Sequence, residues 1–269
     1  MIKATLKEIP EIQLLWQEVF GDPEDFTNRF LAHFGIENCY VSKQNDEITA
    51  MAFALPVEVS GVRCEVSEMW YIYACATRPQ YRKLGIMAKL LEAVYCEACA
   101  KNVAGIFLHA ANQSLENYYR KLGFEDFFYR NHCWVYKDRF LFNKAALTNS
   151  IHFTSPETYQ KKRVRKLENT CFVNWDEDFF RFIHEEKTQF CEYNNTLFSF
   201  KTRYNNIIVE ELLGDTPQEQ IAQLLFEHLP DFDTVHIRLQ GNETCCGQMK
   251  WCHPLAPKLQ SGYFAFAME

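Results

Sequence analysis

Six consecutive residues, Arg82-Lys83-Leu84-Gly85-Ile86-Met87, combine two basic side chains, a glycine and the opening of an apolar helical pattern. The first N–H groups of a helix have no intrahelical partner and carry the positive end of its dipole, so a turn entering a helix here offers donors to an anion. Gly85 removes a side chain where a diphosphate would approach the backbone, and Arg82 and Lys83 add charge. The chemistry of this stretch is phosphate binding. Further along stand Asn112 and the run Tyr118-Tyr119-Arg120-Lys121-Leu122-Gly123-Phe124, in which a phenol can hold or give a proton.

The elements that must position these groups follow from the pattern of apolar residues. Apolar residues ending at Thr77 predict a strand, Pro79 closes it, and Ile86, Leu90 and Val94 then recur on one helical face with Met87, Leu91 and Ala98 beside them. Residues 105–110 read as the next strand, and Ser114 as the cap of a helix carrying both tyrosines. Upstream, Ile9, Ile12, Leu15, Trp16 and Val19 predict a helix over residues 8–20, ended by Gly21-Asp22-Pro23, and a second helix follows over residues 24–34. Strands at 39–41 and 48–59 about the polar turn Gln44-Asn45-Asp46-Glu47 complete the order helix, helix, strand, strand, strand, helix, strand, helix. A meander feeding a parallel crossover makes an α/β fold with a mixed sheet.

The two motifs together resemble the GNAT N-acetyltransferase superfamily. Its motif A, [Gln/Arg]-x-x-Gly-x-[Gly/Ala] after a strand, is met by Arg82, Gly85 and Met87, with Met87 departing from the small residue of the pattern. Thr77-Arg78-Pro79-Gln80-Tyr81 before it is typical of the family, and Tyr119-Arg120-Lys121-Leu122-Gly123-Phe124 is similar to its Tyr-x-Lys-x-Gly-Phe ending of motif B.

That resemblance implies an acyl-CoA N-acyltransferase fold and acetyl-CoA as cosubstrate. It implies that the pyrophosphate lies on Arg82, Lys83, Leu84, Gly85, Ile86 and Met87. The pantetheine arm would pair with strand backbone at Cys75, Ala76 and Thr77 and meet the Asn112 side chain, the ligand acting as an added strand. Tyr119 would be the general acid for the departing sulfur, with Tyr118 as its control, and the Ala76 N–H a donor to the oxyanion. Deprotonating a lysine-like amine at pH 7 costs roughly 4 to 5 kcal/mol, so a base is also required. Glu68 is the foremost candidate, although its parity in a regular strand is opposite to that of Cys75, and a bulge would be needed to restore it. Glu58, Tyr71 and the carboxylate of Glu269, at the end of an apolar C-terminal run that reads as a strand, stand behind it. In the family the first two helices border the acceptor groove.

The second half repeats the order of the first. A basic run, residues 161–166, reads as a solvated helix face, 179–190 as a helix, 196–202 and 207–213 as strands, and 234–239 as a strand after a helix introduced by Gly214-Asp215-Thr216-Pro217. With connection residues Thr148-Asn149-Ser150 and Ser155-Pro156 between, the expected domains are 1–147, a GNAT domain, and 148–269, a degenerate GNAT-like unit. The acidic turn at Asp215 predicts no cofactor there.

Bulk composition bounds the partners. A net charge of −7 argues against general nucleic-acid binding, and no apolar run is long enough to span a membrane. The N-terminus lacks a signal-peptide core, so a cytoplasmic location is expected. Eleven cysteines, an odd number in apolar settings, suit reduced thiols. Cys245-Cys246 with Cys252-His253 fits no common zinc spacing, so no metal is expected. The functional expectation is acetyl transfer to a primary amine of a small molecule or peptide. The alternatives are a CoA-binding or interaction module without catalysis, and a tandem-domain aminoacyl transferase using charged tRNA. The acceptor and the oligomeric state are not legible in the chain.

Overall fold

A computed structural model describes residues 2–61, 64–139, 150–252 and 261–268. In chain order the elements are β1 (Ile2–Lys3), α1 (Ile9–Phe20), α2 (Glu24–Phe34), β2 (Cys39–Gln44), β3 (Glu47–Gly61), β4 (Cys64–Thr77), α3 (Ile86–Ala100), β5 (Gly105–Leu108), α4 (Gln113–Lys121) and β6 (Glu125–Tyr136). They continue with β7 (His152–Phe153), α5 (Pro156–Leu167), β8 (Phe172–Asn174), α6 (Glu177–Glu185), β9 (Gln189–Tyr193), β10 (Thr196–Arg203), β11 (Asn206–Leu213), α7 (Gln218–His228), β12 (Thr234–Gln240) and β13 (Thr244–Trp251). The chain divides into two compact units. One holds Met1–Val59, Cys64–Phe127 and Gly247–Gln260; the other holds Ser60–Arg63, Phe128–Cys246 and Ser261–Glu269.

In the first unit the strand order is β1-β2-β3-β4-β5-β13. β2 and β3 are antiparallel, β4 and β5 parallel, β5 and β13 antiparallel. Strand alternation gives the sheet two apolar faces. Ala50, Ala52, Ala54, Trp70 and Ile72 point to a core shared with Leu90, Leu91 and Val94 of α3 and Tyr119 of α4. On the other face Phe53 and Tyr73 meet Trp16 of α1 and Phe30 of α2 at ring separations of 5.0–5.9 Å. The aromatics of α1 and α2 are therefore core groups, with Trp16 and Phe30 buried.

In the second unit the order is β6-β12-β11-β10-β9-β7, with β11 and β12 parallel and the other pairs antiparallel. Ile221, Leu225 and their neighbours on α7 pack on Phe198, Val209, Val235 and Ile237. Apart from β8 between α5 and α6, the succession α5, α6, β9, β10, β11, α7, β12 repeats α1, α2, β2, β3, β4, α3, β5. Both units are mixed α/β.

Several expectations change. The contact boundary lies at 127/128 and not at 147/148, and residues 247–260 belong with the first unit. The cause is that β6 pairs with β12 and β13 with β5, so each half of the chain supplies a strand to the other unit. Of the connection expected between the halves, Thr148 and Asn149 lie outside the described residues, as does His253. The helix expected over 179–190 stops at Glu185, and Gln189–Tyr193 is a strand. The basic run is helical, but its face is not all solvated: Arg163 is fully buried on Glu211, Nε to Oε1 at 2.9 Å. The C-terminal segment forms two isolated bridges, Phe128 with Gly262 and Phe172 with Tyr263, in place of a strand. Ten cysteines among the described residues stand outside any disulfide. No helix among the described residues is long and apolar enough to cross a membrane.

Candidate active site

The turn from β4 into α3 is held by one arginine. Arg78 N donates to Thr49 O at 3.0 Å and Arg78 Nε to Ile48 O at 2.8 Å. Its guanidinium also meets Glu18 at 2.9 Å and Glu47 at 3.2 Å, and Tyr81 Oη donates to Glu47 Oε2 at 2.9 Å. A single 3-10 turn, Pro79–Tyr81, follows, and then Lys83 and Gly85 take left-handed backbone at φ 64° and 73°. Gly85 is the N-cap of α3 and offers no side chain to the free amides behind it. A Cβ at Gly85 would meet nothing within 4 Å, so positive φ is what the fold itself asks of this residue and the space before the helix is open.

Arg82, Lys83 and Leu84 are exposed around that opening, Leu84 at 62%. Arg82 Nε donates to Thr77 O at 3.1 Å, folding its side chain back over the end of β4. Ile86 and Met87 turn inward and pack on the α3 core. Met87, the departure from the small residue of motif A, thus has a place in the core and leaves the helix head clear.

The strand leading to this turn is freed by a kink. β4 pairs with β5 only at Trp70–Ile106, Tyr71–Phe107 and Ile72–Leu108, where β5 ends. Ala74 has φ 49°, left-handed backbone that costs a non-glycine residue about 1 to 2 kcal/mol. It inserts an odd step into the alternation. Trp70 and Ile72 face the α3 core, Tyr71 and Tyr73 the opposite side, and after Ala74 it is Cys75 that returns to the α3 core. Beyond Ile72, the β5-facing edge carrying Cys75, Ala76 and Thr77 has no strand neighbour among the described residues.

Tyr119 is set against that edge by a helix ending. Gly123 N donates to Arg120 O and Phe124 N to Tyr119 O, both at 3.1 Å, with Gly123 at φ 87°. These are the two bonds of a Schellman C-cap, whose first and last residues touch. Accordingly Tyr119 and Phe124 meet edge to face at 5.8 Å. The Tyr-x-x-x-Gly-Phe spacing is therefore the spacing of a helix stop that fixes the tyrosine. Tyr119 is 6% exposed and belongs to the core against which Cys75 packs. Burial, with Cys75 beside it, raises the phenol well above its usual 10, and burial pushes the Cys75 thiol up to about 12. Both keep their protons at neutral pH.

Tyr118 is half-buried, packs on the same core and stands edge to face with Tyr119 at 5.3 Å, so it faces away less than helical geometry predicts. Burial and Cys75 raise its pKa as well. Asn112, and not Ser114, caps α4: its Oδ1 accepts from Leu115 N at 3.0 Å, leaving the amide group of the exposed side chain toward solvent.

Glu68 is not brought to Tyr119. The Ala74 kink restores its parity with Cys75, but it sits in the first half of β4, roughly 23 Å of extended chain from Cys75. There it is exposed, accepts Trp70 Nε1 on Oε1 at 3.0 Å, and its carbonyl accepts Ala104 N. Glu58 is exposed near the end of β3, Tyr71 is buried against Phe107 on the opposite sheet face, and Glu269 lies outside the described residues. Sequence reasoning missed the Arg78 anchor, because its carboxylates on α1 and in the β2–β3 hairpin share no local pattern with it. It also missed the return of Cys75 to the α3 core, for which the kink at an ordinary alanine gives no signal.

Residues 1–127 match the family described as acetyltransferase (GNAT) domain. No curated protein sequence matches the chain. Among solved structures, the chain is similar to a GCN5-related N-acetyltransferase from Kribbella flavida, TM-score 0.72 at 15% identity over 93% of this chain and 70% of that one. One from Anabaena variabilis gives TM-score 0.72 at 13% identity, covering 93% and 72%. An acetyltransferase described as putative, from Pyrococcus horikoshii, gives 0.63 at 13% over 99% and 94%. At these identities the likeness speaks for the fold.

Proposed function

We propose that this protein, whose residues 1–127 match the acetyltransferase (GNAT) domain family, is an acetyl-CoA-dependent N-acetyltransferase acting on a primary amine of a small molecule or peptide. The observation that carries the reading is the alignment of three features: the uncapped head of α3, the open edge of β4 leading to it, and a buried, protonated Tyr119 beside that edge. These residues fit the cosubstrate. Amides at Gly85, Ile86 and Met87 with Arg82 and Lys83 suit a diphosphate, and the backbone of Cys75, Ala76 and Thr77 suits an amide-bearing arm. Asn112, whose Oδ1 is used in capping α4, would meet the same arm with its side-chain amide group.

Acetyl-CoA supplies an activated acyl group. The chain orients the acyl group by the strand edge, donates to its oxygen from the Ala76 N–H, and keeps on Tyr119 a proton for the sulfur that departs. Tyr119 suits an acid because a phenol buried in this way does not ionise in the working range. The second unit, whose turn into α7 carries Asp215 and whose Thr216 N–H is already taken by Thr196 Oγ1 at 3.1 Å, is proposed as a GNAT-like unit without acyl carrier. The proposed location is cytoplasmic.

The test is release of free CoA thiol from acetyl-CoA by the purified chain across a panel of amines and peptides. Release that depends on amine supports the reading, and tight CoA binding without release with any amine sinks it. That second outcome favours a CoA-binding module, for which the remoteness of Glu68 speaks.

A further inference from the structure

Strand β13 joins the first unit from near the other end of the chain, and it brings a polar side chain into that unit's interior. Gln248 is 1% exposed. It lies across β5 from Leu108, the last residue of β5 and the last to pair with β4, through Ile72, so it stands level with the point where the β4 edge opens. Cross-strand partners share a sheet face, and Leu108 faces the core that holds Tyr119. Gln248 is thus beneath α4.

Its amide nitrogen sits between two acceptors of the segment that carries Tyr119. Gln248 Nε2 donates to Asp126 Oδ1 at 2.9 Å and to Glu116 O at 3.3 Å. Asp126 in turn holds Arg120, the chain neighbour of Tyr119, with Nε to Oδ1 at 3.1 Å and Nη2 to Oδ2 at 2.8 Å, and Arg120 Nη2 also reaches Glu116 Oε2 at 3.0 Å. The two acceptors settle which end of the amide is nitrogen, and Gln248 Oε1 is then buried with no hydrogen-bond partner among the described residues. An orphaned buried oxygen destabilises the fold in a way that methionine at the same place would not. For packing alone, glutamine is the poorer residue. What it does, and an apolar side chain cannot, is fix the height and roll of α4 on the sheet.

We propose that Gln248 is a positioning residue, which ties α4 to β13 through Asp126, Arg120 and the Glu116 carbonyl and so keeps Tyr119 in its place beside the open edge of β4. This rests on the reading that Tyr119 gives the proton in acyl transfer. Gln248, buried under the helix, acts through it.

Gln248→Met, Tyr119→Phe and the double variant, each in the full chain, test the proposal. Methionine nearly conserves the volume and removes the orphaned oxygen, while Asp126 retains Arg120 and the Glu116 carbonyl stays in the helical ladder, so the melting temperature should stay within about 2 °C of wild type. Even so, kcat should fall roughly 10- to 100-fold, as expected for a small misplacement of a reacting group, with the acetyl-CoA KM unchanged. In the Tyr119→Phe background Gln248→Met should cost nothing further, which a merely structural role would not predict. A second readout needs no turnover: amide hydrogen exchange over α4 should quicken about tenfold in Gln248→Met. An unchanged kcat, an equal loss in the Tyr119→Phe background, a loss of kcat that follows a collapse of thermal stability, or unaltered exchange over α4 each overturns the proposal. Absence of any CoA release by the wild type would instead remove the acyl-transfer reading, and exchange over α4 would still decide whether Gln248 holds the helix.

Discussion

Replacing Gly85 by alanine separates what the fold needs from what a diphosphate needs. At φ 73° an alanine is strained by about 1 to 2 kcal/mol, and since the new Cβ would touch nothing within 4 Å, no clash adds to this. The melting temperature should fall by roughly 2 to 8 °C at the 2 to 4 °C per kcal/mol usual for domains of this size. Relaxing that strain would swing the first amides of α3 away from the opening. Each charge-assisted bond lost is worth about 1.5 to 3 kcal/mol, so CoA affinity should weaken roughly 10- to 150-fold. Gly85→Asn is the companion, because asparagine enters left-handed backbone at less cost. It should recover most of the melting temperature and keep the amides in place, yet still put side-chain atoms before the helix. Calorimetric titration with CoA and thermal unfolding of the three proteins are the assays. Wild-type affinity in Gly85→Ala would refute the idea that the head of α3 seats the phosphates.

Tyr119→Phe should leave thermal stability within about 1 kcal/mol, as the ring contact with Phe124 remains, while kcat drops by roughly two to four orders of magnitude; a fully active variant would remove the acid role. Arg163→Met should destabilise the chain by about 3 to 5 kcal/mol in denaturant unfolding, because it strands a fully buried Glu211 carboxylate that also accepts from Tyr159, and Arg163→Met with Glu211→Leu should recover most of that. Tyr119, Tyr159 and Tyr263 are all held well above 10 by burial, whereas in the unfolded chain they ionise near 10. The folded state thus binds more protons, and stability that is complete below pH 10 should fall above it by roughly 1.4 kcal/mol per such group per pH unit. A flat unfolding midpoint from pH 9 to 11 would contradict this.

What could be read from the chain alone follows from range. The Arg82–Met87 turn and the Tyr119 to Phe124 helix stop are local devices, in which the residues that make the geometry adjoin those that use it. The α1 and α2 stripes and the β2–β3 turn were legible for the same reason. Asn112 was misread only by its neighbour: Ser114 is an equally good cap, and the choice depends on where the chain leaves β5. Long-range facts left no local trace. Arg78 finds partners in Glu18 and Glu47, Arg163 finds Glu211 across the second unit, and Ala74 carries its strain with no glycine to announce it. The exchange of β6 and β13 was invisible because both are ordinary strands, and alternation does not say which sheet a strand joins.

That exchange has a consequence for how the chain is made. β5 obtains its outer neighbour from residues 248–251, while the rest of the first unit ends at Phe127, 124 residues earlier than Trp251. At 5 to 20 residues per second a ribosome needs roughly 6 to 25 s to supply the missing piece. Through that interval the nascent chain displays a bare apolar margin that invites adhesion to other chains. A fragment cut after residue 147 would display it permanently, so dissecting this chain by simple truncation should yield aggregates, and biogenesis should favour holding by a chaperone until the last strand emerges.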